Sequence, residues 1–358
     1  MKMYTWRDVH PDFKLNGTTY SHEDLREVGY SLVKEGVEFE QTIGDFLLDW
    51  LSEKPTMEVF TSGSTGEPKH IHLKKEHMVN SALATGSFFG LEPEQTALHC
   101  LPSRFIAGKM MLVRSIVLGL HMDYLEPTSR PLQFSDKRYD FCAMVPLQVS
   151  RSIERLHQID KLIVGGAPVT GKLKELLQDQ PTKVYETYGM TETVTHIAVK
   201  EINGQNNADF FVTLPDVAVL KDERDCLVIN APKVADEPVV TNDLVSISSE
   251  NEFEWLGRHD NIINSGGVKL IPEQIEAKLA ELFDTRFFVA GLPDDKLGER
   301  LILVMEGEGD VDQIKKRMKA SKELDKYEQP KEIYFLMAFL ETDTQKILRK
   351  ENLERLSL

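Results

Sequence analysis

Phe60-Thr61-Ser62-Gly63-Ser64-Thr65-Gly66-Glu67-Pro68-Lys69 is the stretch on which the fold turns. A short strand-like run at residues 57–60 leads into it, and residues 74–89 behind it read as a helix. Glycines let a main chain approach an anion closely and present N–H groups without side-chain obstruction. Thr61, Ser62, Ser64 and Thr65 add hydroxyl donors, and Lys69 adds positive charge. Strand, glycine-rich turn and helix in that order suit a phosphate cradle inside an α/β fold. The Walker pattern is not met, because Pro68 stands where its second glycine belongs and His70 where it requires Ser or Thr.

Outward from this turn the chain keeps alternating. Residues 25–52 read as helix, with Phe46, Leu47, Trp50 and Leu51 at helical spacing. Downstream, apolar runs at 97–101, 140–145, 162–164 and 183–185 alternate with helical stretches at 109–118, 147–156 and 171–178. That alternation predicts a sheet with helices on its faces. From about residue 210 the texture changes to short strands at 217–220, 226–229, 244–248 and 253–256, with a hairpin turn at Ser248-Ser249-Glu250-Asn251-Glu252. A polar stretch, Arg258-His259-Asp260-Asn261, reads as a linker. Beyond it come helices at 272–282 and 311–324 and strands at 287–290, 301–305 and 333–336. The expected architecture is therefore α/β. A large domain over residues 1–259 includes an antiparallel β portion, and a small mobile α+β domain spans 260–358.

Composition narrows the function classes. The 358 residues carry 42 Lys and Arg against 58 Asp and Glu, a formal net charge of −16, which argues against a sequence-independent nucleic-acid binder. Cys100, Cys142 and Cys226 lie far apart and offer neither metal-ligand spacing nor a disulfide framework. Residues 1–13 lack an apolar signal core, and the most apolar stretch, 110–122, is short and broken by Arg114. A cytoplasmic protein without a membrane span is expected.

With its flanking segments, the Thr-Ser-Gly-Ser-Thr-Gly-x-Pro-Lys turn resembles the phosphate loop of the adenylate-forming acyl- and aryl-CoA ligases. The resemblance implies binding of ATP and Mg²⁺, with CoA as the accepting co-substrate. Further segments follow in that family's order. Leu162-Ile163-Val164-Gly165-Gly166-Ala167-Pro168 resembles the strand end lining the acyl and adenine pocket. Tyr185-Glu186-Thr187-Tyr188-Gly189-Met190-Thr191-Glu192-Thr193 resembles the segment in which Tyr188 would stack near adenine, Thr191 touch the α-phosphate and Glu192 help hold Mg²⁺. Thr241-Asn242-Asp243 resembles a Thr-Gly-Asp segment, with Asn242 in place of the glycine; Asp243 would take the ribose hydroxyls. In Gly257-Arg258-His259-Asp260 the resemblance implies a ribose contact for Arg258 and a hinge at Asp260. Gly266 and Gly267 would line the CoA tunnel during thioester formation.

Thr342-Asp343-Thr344-Gln345-Lys346-Ile347-Leu348-Arg349 resembles the C-terminal Arg-Thr-x-x-Gly-Lys-Ile-x-Arg segment. Lys346 is then the cation that meets the acid and the α-phosphate during adenylation. Gln345 replaces the glycine, and Leu340-Glu341 the usual Pro-Arg. The segment from Leu101 to Ile116 is similar to that of 2-succinylbenzoate–CoA ligases of menaquinone synthesis. Phe105 would shape the acid pocket. Lys109 and Arg104 are candidate anchors for a second carboxylate, with Arg114 a weaker one. Other aryl or fatty acids, or a carrier-protein thiol as acceptor, fit the same motifs. A non-catalytic nucleotide-binding relative is the alternative from another class, kept open by Gln345. The phosphate turn lies much nearer the N-terminus than in typical relatives, so a shortened large domain is expected, with a homodimer covering the exposed face.

Overall fold

The computed structural model describes residues 5–60, 70–204, 209–342 and 346–356. The glycine-rich turn, with Thr61, Ser62, Gly63, Ser64, Thr65, Gly66 and Lys69, lies outside the described residues, as does Gln345.

Among the described residues, thirteen strands form one sheet. Its parallel half runs through Lys183–Gly189, Ile159–Val164, Tyr139–Met144, Thr96–His99 and His121–Tyr124. At Lys183–Gly189 the character switches. His196–Glu201 pairs with it antiparallel, and Phe211–Thr213, Glu252–Arg258, Val239–Ser249, Cys226–Asn230 and Ala218–Lys221 continue antiparallel to the edge. The α/β class and the antiparallel portion read from the sequence are both found, but as halves of one continuous sheet. The turn expected at Ser248–Glu252 does join two paired strands.

Burial on both faces explains the apolar parallel strands. In Tyr139–Met144, Phe141 and Ala143 enter the larger core, and Cys142 and Met144 enter a second core on the other face. The helices Lys75–Phe89 and Ile106–Leu118 pack together over the larger core. From Ile263 onward a separate five-stranded sheet forms, with apolar clusters of its own on each face.

Two local expectations are corrected. The helix read across 25–52 is two helices, His22–Glu35 and Glu38–Trp50, because Gly36 leaves the helical region and donates its N–H back to Leu32 as a cap. The glycine-rich turn does not lead directly into a helix. His70–Lys74 is a strand paired antiparallel with Thr56–Phe60, so residues 61–69 join the arms of a β-ribbon. The helix Lys75–Phe89 starts only afterwards. No helix among the described residues is long and apolar enough to cross a membrane.

Candidate active site

Asp243 is the centre of the site. It lies on Val239–Ser249, directly opposite Arg258 on the antiparallel Glu252–Arg258 strand. Its Oδ2 accepts the Tyr188 hydroxyl at 2.6 Å. Its Oδ1 accepts Trp255 Nε1 at 3.2 Å and Arg258 Nη1 at 3.4 Å. Three donors from two strands fix the carboxylate while leaving lone-pair capacity for a further donor. The Tyr188 ring packs edge-on against Phe253, with centroids 5.1 Å apart, so burial first, and then Asp243, push its hydroxyl pKa well up and keep it a donor. Burial works to lower the Arg258 pKa, but Asp243 and Asp260 outweigh it and hold the guanidinium above its ordinary value.

Arg258 also grips Asp260, Nη2 to Oδ2 at 3.0 Å. Here Asn242, the residue that replaces a glycine in the motif, has a definite job. Its Nδ2 donates to both Asp260 oxygens at 3.1 Å, and its Oδ1 accepts Arg224 Nη1 at 2.9 Å. Asp260 is thereby tied to the large sheet.

Lys346 reaches this group from the other end of the chain. A short turn carries it, closed by an antiparallel bridge between Glu341 and Ile347 and by Thr342 N–H to Lys346 O at 2.9 Å. The residue is exposed. Even so, desolvation by neighbouring atoms and then the Arg258 charge lower its ammonium pKa, with Asp243 opposing. The ammonium is within electrostatic range of both.

The Gly165 and Tyr188 segments meet at a close approach. A Cβ on Gly165 would stand 2.4 Å from Thr187 Oγ1, so only glycine lets that strand end lie against Lys183–Gly189. Gly189 is as tightly placed, since a Cβ there would meet Thr195 O at 2.3 Å. Between them Thr191–Thr193 forms a single 3₁₀ turn, and Val194 follows at φ 66°, a strained value for a β-branched residue. The turn leaves Glu192 exposed, and Gly166 and Ala167 are exposed beside it in sequence after Gly165. Gly266 and Gly267 form a tight hairpin turn in the small sheet, where Gly266 N–H donates to Leu297 O.

The proposed acid anchors find unequal partners. Arg104 is exposed, its guanidinium 4.7 Å over the partly buried Phe105 ring. Lys109 turns toward the helix Glu38–Trp50. Its ammonium lies 5.8 Å over Phe46, and burial lowers its pKa against the pull of Asp49 and Asp45. Arg114, the weaker candidate, is 1% exposed, and none of its hydrogen bonds goes to a carboxylate. Nε donates to Thr85 Oγ1 at 3.3 Å, and Nη2 to Thr195 Oγ1 at 3.4 Å and His196 Nδ1 at 3.3 Å. Burial drives its pKa down to about 9, still protonated at neutral pH. Burial and the Arg114 charge hold His196 well below its ordinary value, so the imidazole is neutral. Since Arg114 can only donate, His196 Nδ1 accepts, and its Nε2–H faces Thr85 Oγ1 at 3.3 Å. Arg114 thus holds the chain at Thr195 and His196, just after the turn that carries Thr191 and Glu192. His196 also walls a cavity of about 240 Å³ whose lining includes Asn80, Ser81, Ser87 and Lys233.

His196, Thr195, Thr85, Trp255 and Asn242's amide were not singled out from the sequence. The interruption of an apolar helix by Arg114 was the one available signal.

The sequence matches the AMP-binding enzyme family over residues 45–230. A solved acyl-CoA synthetase (AMP-forming)/AMP-acid ligase II-like protein from Dyadobacter fermentans is 37% identical, with 93% of this chain and 98% of that one covered and a TM-score of 0.61. The 2-succinylbenzoate–CoA ligase of Bacillus cytotoxicus is 26% identical over 344 residues, 84% of this chain and 70% of that protein. The Bacillus subtilis o-succinylbenzoate CoA synthetase, solved with its acyl-adenylate intermediate, shares the fold at 21% identity and TM-score 0.70, over 82% of this chain and 68% of that one.

Proposed function

The chain belongs to the AMP-binding enzyme family and, within it, to the AMP-forming acyl-CoA synthetases; from that premise we propose that its acid is 2-succinylbenzoate or a close aromatic dicarboxylate, joined to CoA. The observation that carries the reading is the meeting of Asp243, Arg258 and Lys346, drawn from distant parts of the chain into one charged group.

In the first half-reaction the acid's carboxylate oxygen attacks the α-phosphorus of ATP. Pyrophosphate leaves and an acyl-adenylate remains. Asp243 and Arg258 hold the ribose, and Tyr188 and Trp255 keep the Asp243 carboxylate aimed. The Lys346 ammonium lies where negative charge gathers as carboxylate and phosphate approach. Glu192 suits Mg²⁺, which is commonly held by one or two carboxylates together with substrate phosphates rather than by a protein cage. Bound there, the cation would neutralise phosphate charge. In the second half-reaction the CoA thiolate attacks the acyl carbon and AMP leaves. The small domain turns about Asp260 between the halves, withdrawing Lys346 and bringing in Gly266 and Gly267.

The second carboxylate of the acid supplies what Arg114 lacks. A fully buried guanidinium without a carboxylate partner is costly unless an anion joins it.

The acid is tested with a panel of carboxylic acids assayed for CoA-dependent AMP release. 2-Succinylbenzoate should exceed benzoate and fatty acids by at least ~10-fold, the worth of one charge-assisted contact. Equal rates for mono- and dicarboxylates would remove the dicarboxylate reading.

Asn242 gives a second test. Turning about Asp260 requires its carboxylate to leave the Asn242 amide. A partly exposed bond to a charged group contributes about 1 kcal/mol. Asn242→Gly is therefore expected to shift the ratio of thioester formation to adenylation upward by roughly 5-fold in single-turnover measurements. An unchanged ratio would show that the amide does not restrain the hinge.

A further inference from the structure

Lys346 has a long, exposed side chain, so its ammonium can only be placed well if its main chain is fixed. Asn352 bonds to the main chain of Leu340 and Leu348, and Arg286 pairs with Glu341, so both flanks of the lysine segment are held. A further tie to the body of the small domain lies three residues on from Lys346. Arg349 makes a two-pronged ion pair with Glu276 of the helix Pro272–Ala280, Nη1 to Oε1 at 2.6 Å and Nη2 to Oε2 at 2.8 Å. Glu276 Oε1 also accepts the Val289 N–H at 2.8 Å, and Arg349 Nη1 donates to Val289 O at 3.0 Å. The helix, the strand Phe287–Asp294 and the segment that follows Lys346 thus meet at one guanidinium.

The network continues toward the hinge. Arg349 Nη2 lies 3.8 Å from Glu273 Oε1, which accepts the Asn261 amide. Asn261 adjoins Asp260, itself held by Arg258 and Asn242. The other Glu273 oxygen is buried without a donor, against Gly257, where a Cβ would stand 2.5 Å away. A path of short contacts therefore joins the Asp243–Arg258 pair to the base of Lys346 through Asp260, Asn261, Glu273 and Arg349.

We propose that Arg349, clamped by Glu276 and braced by Glu273, is the positioning residue that sets where Lys346 stands relative to Asp243 and Arg258. This rests on the ligase reading above. Planar, bidentate geometry is what the clamp supplies, so lysine at 349 keeps the charge and loses the register. A misplacement of about 1 Å at a reacting group costs on the order of 10²-fold.

The test measures both half-reactions in Arg349→Lys, alone and combined with Lys346→Ala, alongside melting temperatures. Arg349→Lys should lower acid-dependent exchange of pyrophosphate into ATP by about 30- to 100-fold. CoA transfer from a supplied acyl-adenylate should stay within about 3-fold of the parent, because that step does not use the lysine. On the Lys346→Ala background, Arg349→Lys should cause no further loss of exchange, since it acts through the missing group. An additive loss, or an equal fall in both half-reactions, would overturn the clamp and leave a merely structural ion pair. Glu276→Gln, which keeps the volume and breaks the fork, should repeat the pattern and substitutes if Arg349→Lys does not fold. If Lys346→Ala alone leaves exchange intact, the ligase reading fails first; if it abolishes exchange while the Arg349 effect is additive, only the clamp fails.

Discussion

Lys346→Ala is expected to lower acid-dependent pyrophosphate–ATP exchange by about 10²–10³-fold, the usual cost of removing one preorganised electrostatic group from a transition state. Thioester formation from a supplied acyl-adenylate should change by less than about 3-fold, since the proposed turn of the small domain withdraws the lysine before CoA attacks. Asymmetry is the decisive feature. Lys346 is exposed, and its bonds to Thr342 use the lysine's own carbonyl and N–H, which survive the substitution. A general loss of structure therefore cannot mimic the result. An equal fall in the two half-reactions would mean that one arrangement of the domains serves both, and that Asp260 is not a hinge.

Arg114→Met should act in opposite directions on binding and on stability. The guanidinium is fully buried, with hydroxyl and imidazole partners and no carboxylate among them. Replacing a buried charge by an apolar side chain of similar length is often neutral or stabilising by ~1–4 kcal/mol. The melting temperature of the acid-free protein should hold or rise. The KM for a dicarboxylate should meanwhile rise roughly 10- to 100-fold, since a hydrogen bond to a charged group is worth about 1.5–3 kcal/mol. A monocarboxylate such as benzoate should be affected little, which separates a lost anchor from a damaged pocket. Were stability to collapse and both acids to suffer equally, Arg114 would be a structural residue of the core and the dicarboxylate reading would lose its anchor.

Much of the site was legible because its residues sit in short segments of distinctive chemistry. Asp243, Arg258 and Lys346 could each be named from three to nine neighbouring letters; Asp243 and Arg258 pair directly, and the Lys346 ammonium feels the charge of both. What the letters did not carry was partnership across distance. Arg114 stood out as a charge inside an apolar helix, but Thr85, Thr195 and His196, which hold it, come from a second helix and from the segment entering the His196–Glu201 strand. Asn242 looked like a departure from a motif; only the position of Asp260 gives its amide a purpose.

The fold shows the same division. Alternation of apolar runs and helical stretches identified the parallel half of the sheet. Its fusion with the antiparallel half depends on pairings such as Tyr188 with Ala198, for which local pattern offers no signal. His70–Lys74 was overlooked as a strand because polar residues alternate with Ile71 and Leu73 over a span too short to separate from a loop. That strand moves the phosphate turn from a helix start to the end of a β-ribbon.

The central claim is that Asp243, Arg258 and Lys346 together hold ATP against a carboxylic acid. Isotope exchange between pyrophosphate and ATP in the unmodified protein, with and without 2-succinylbenzoate and with CoA left out, tests it most directly. The account predicts exchange that requires the acid and proceeds without CoA; no exchange with any acid, or exchange indifferent to acid, would contradict it.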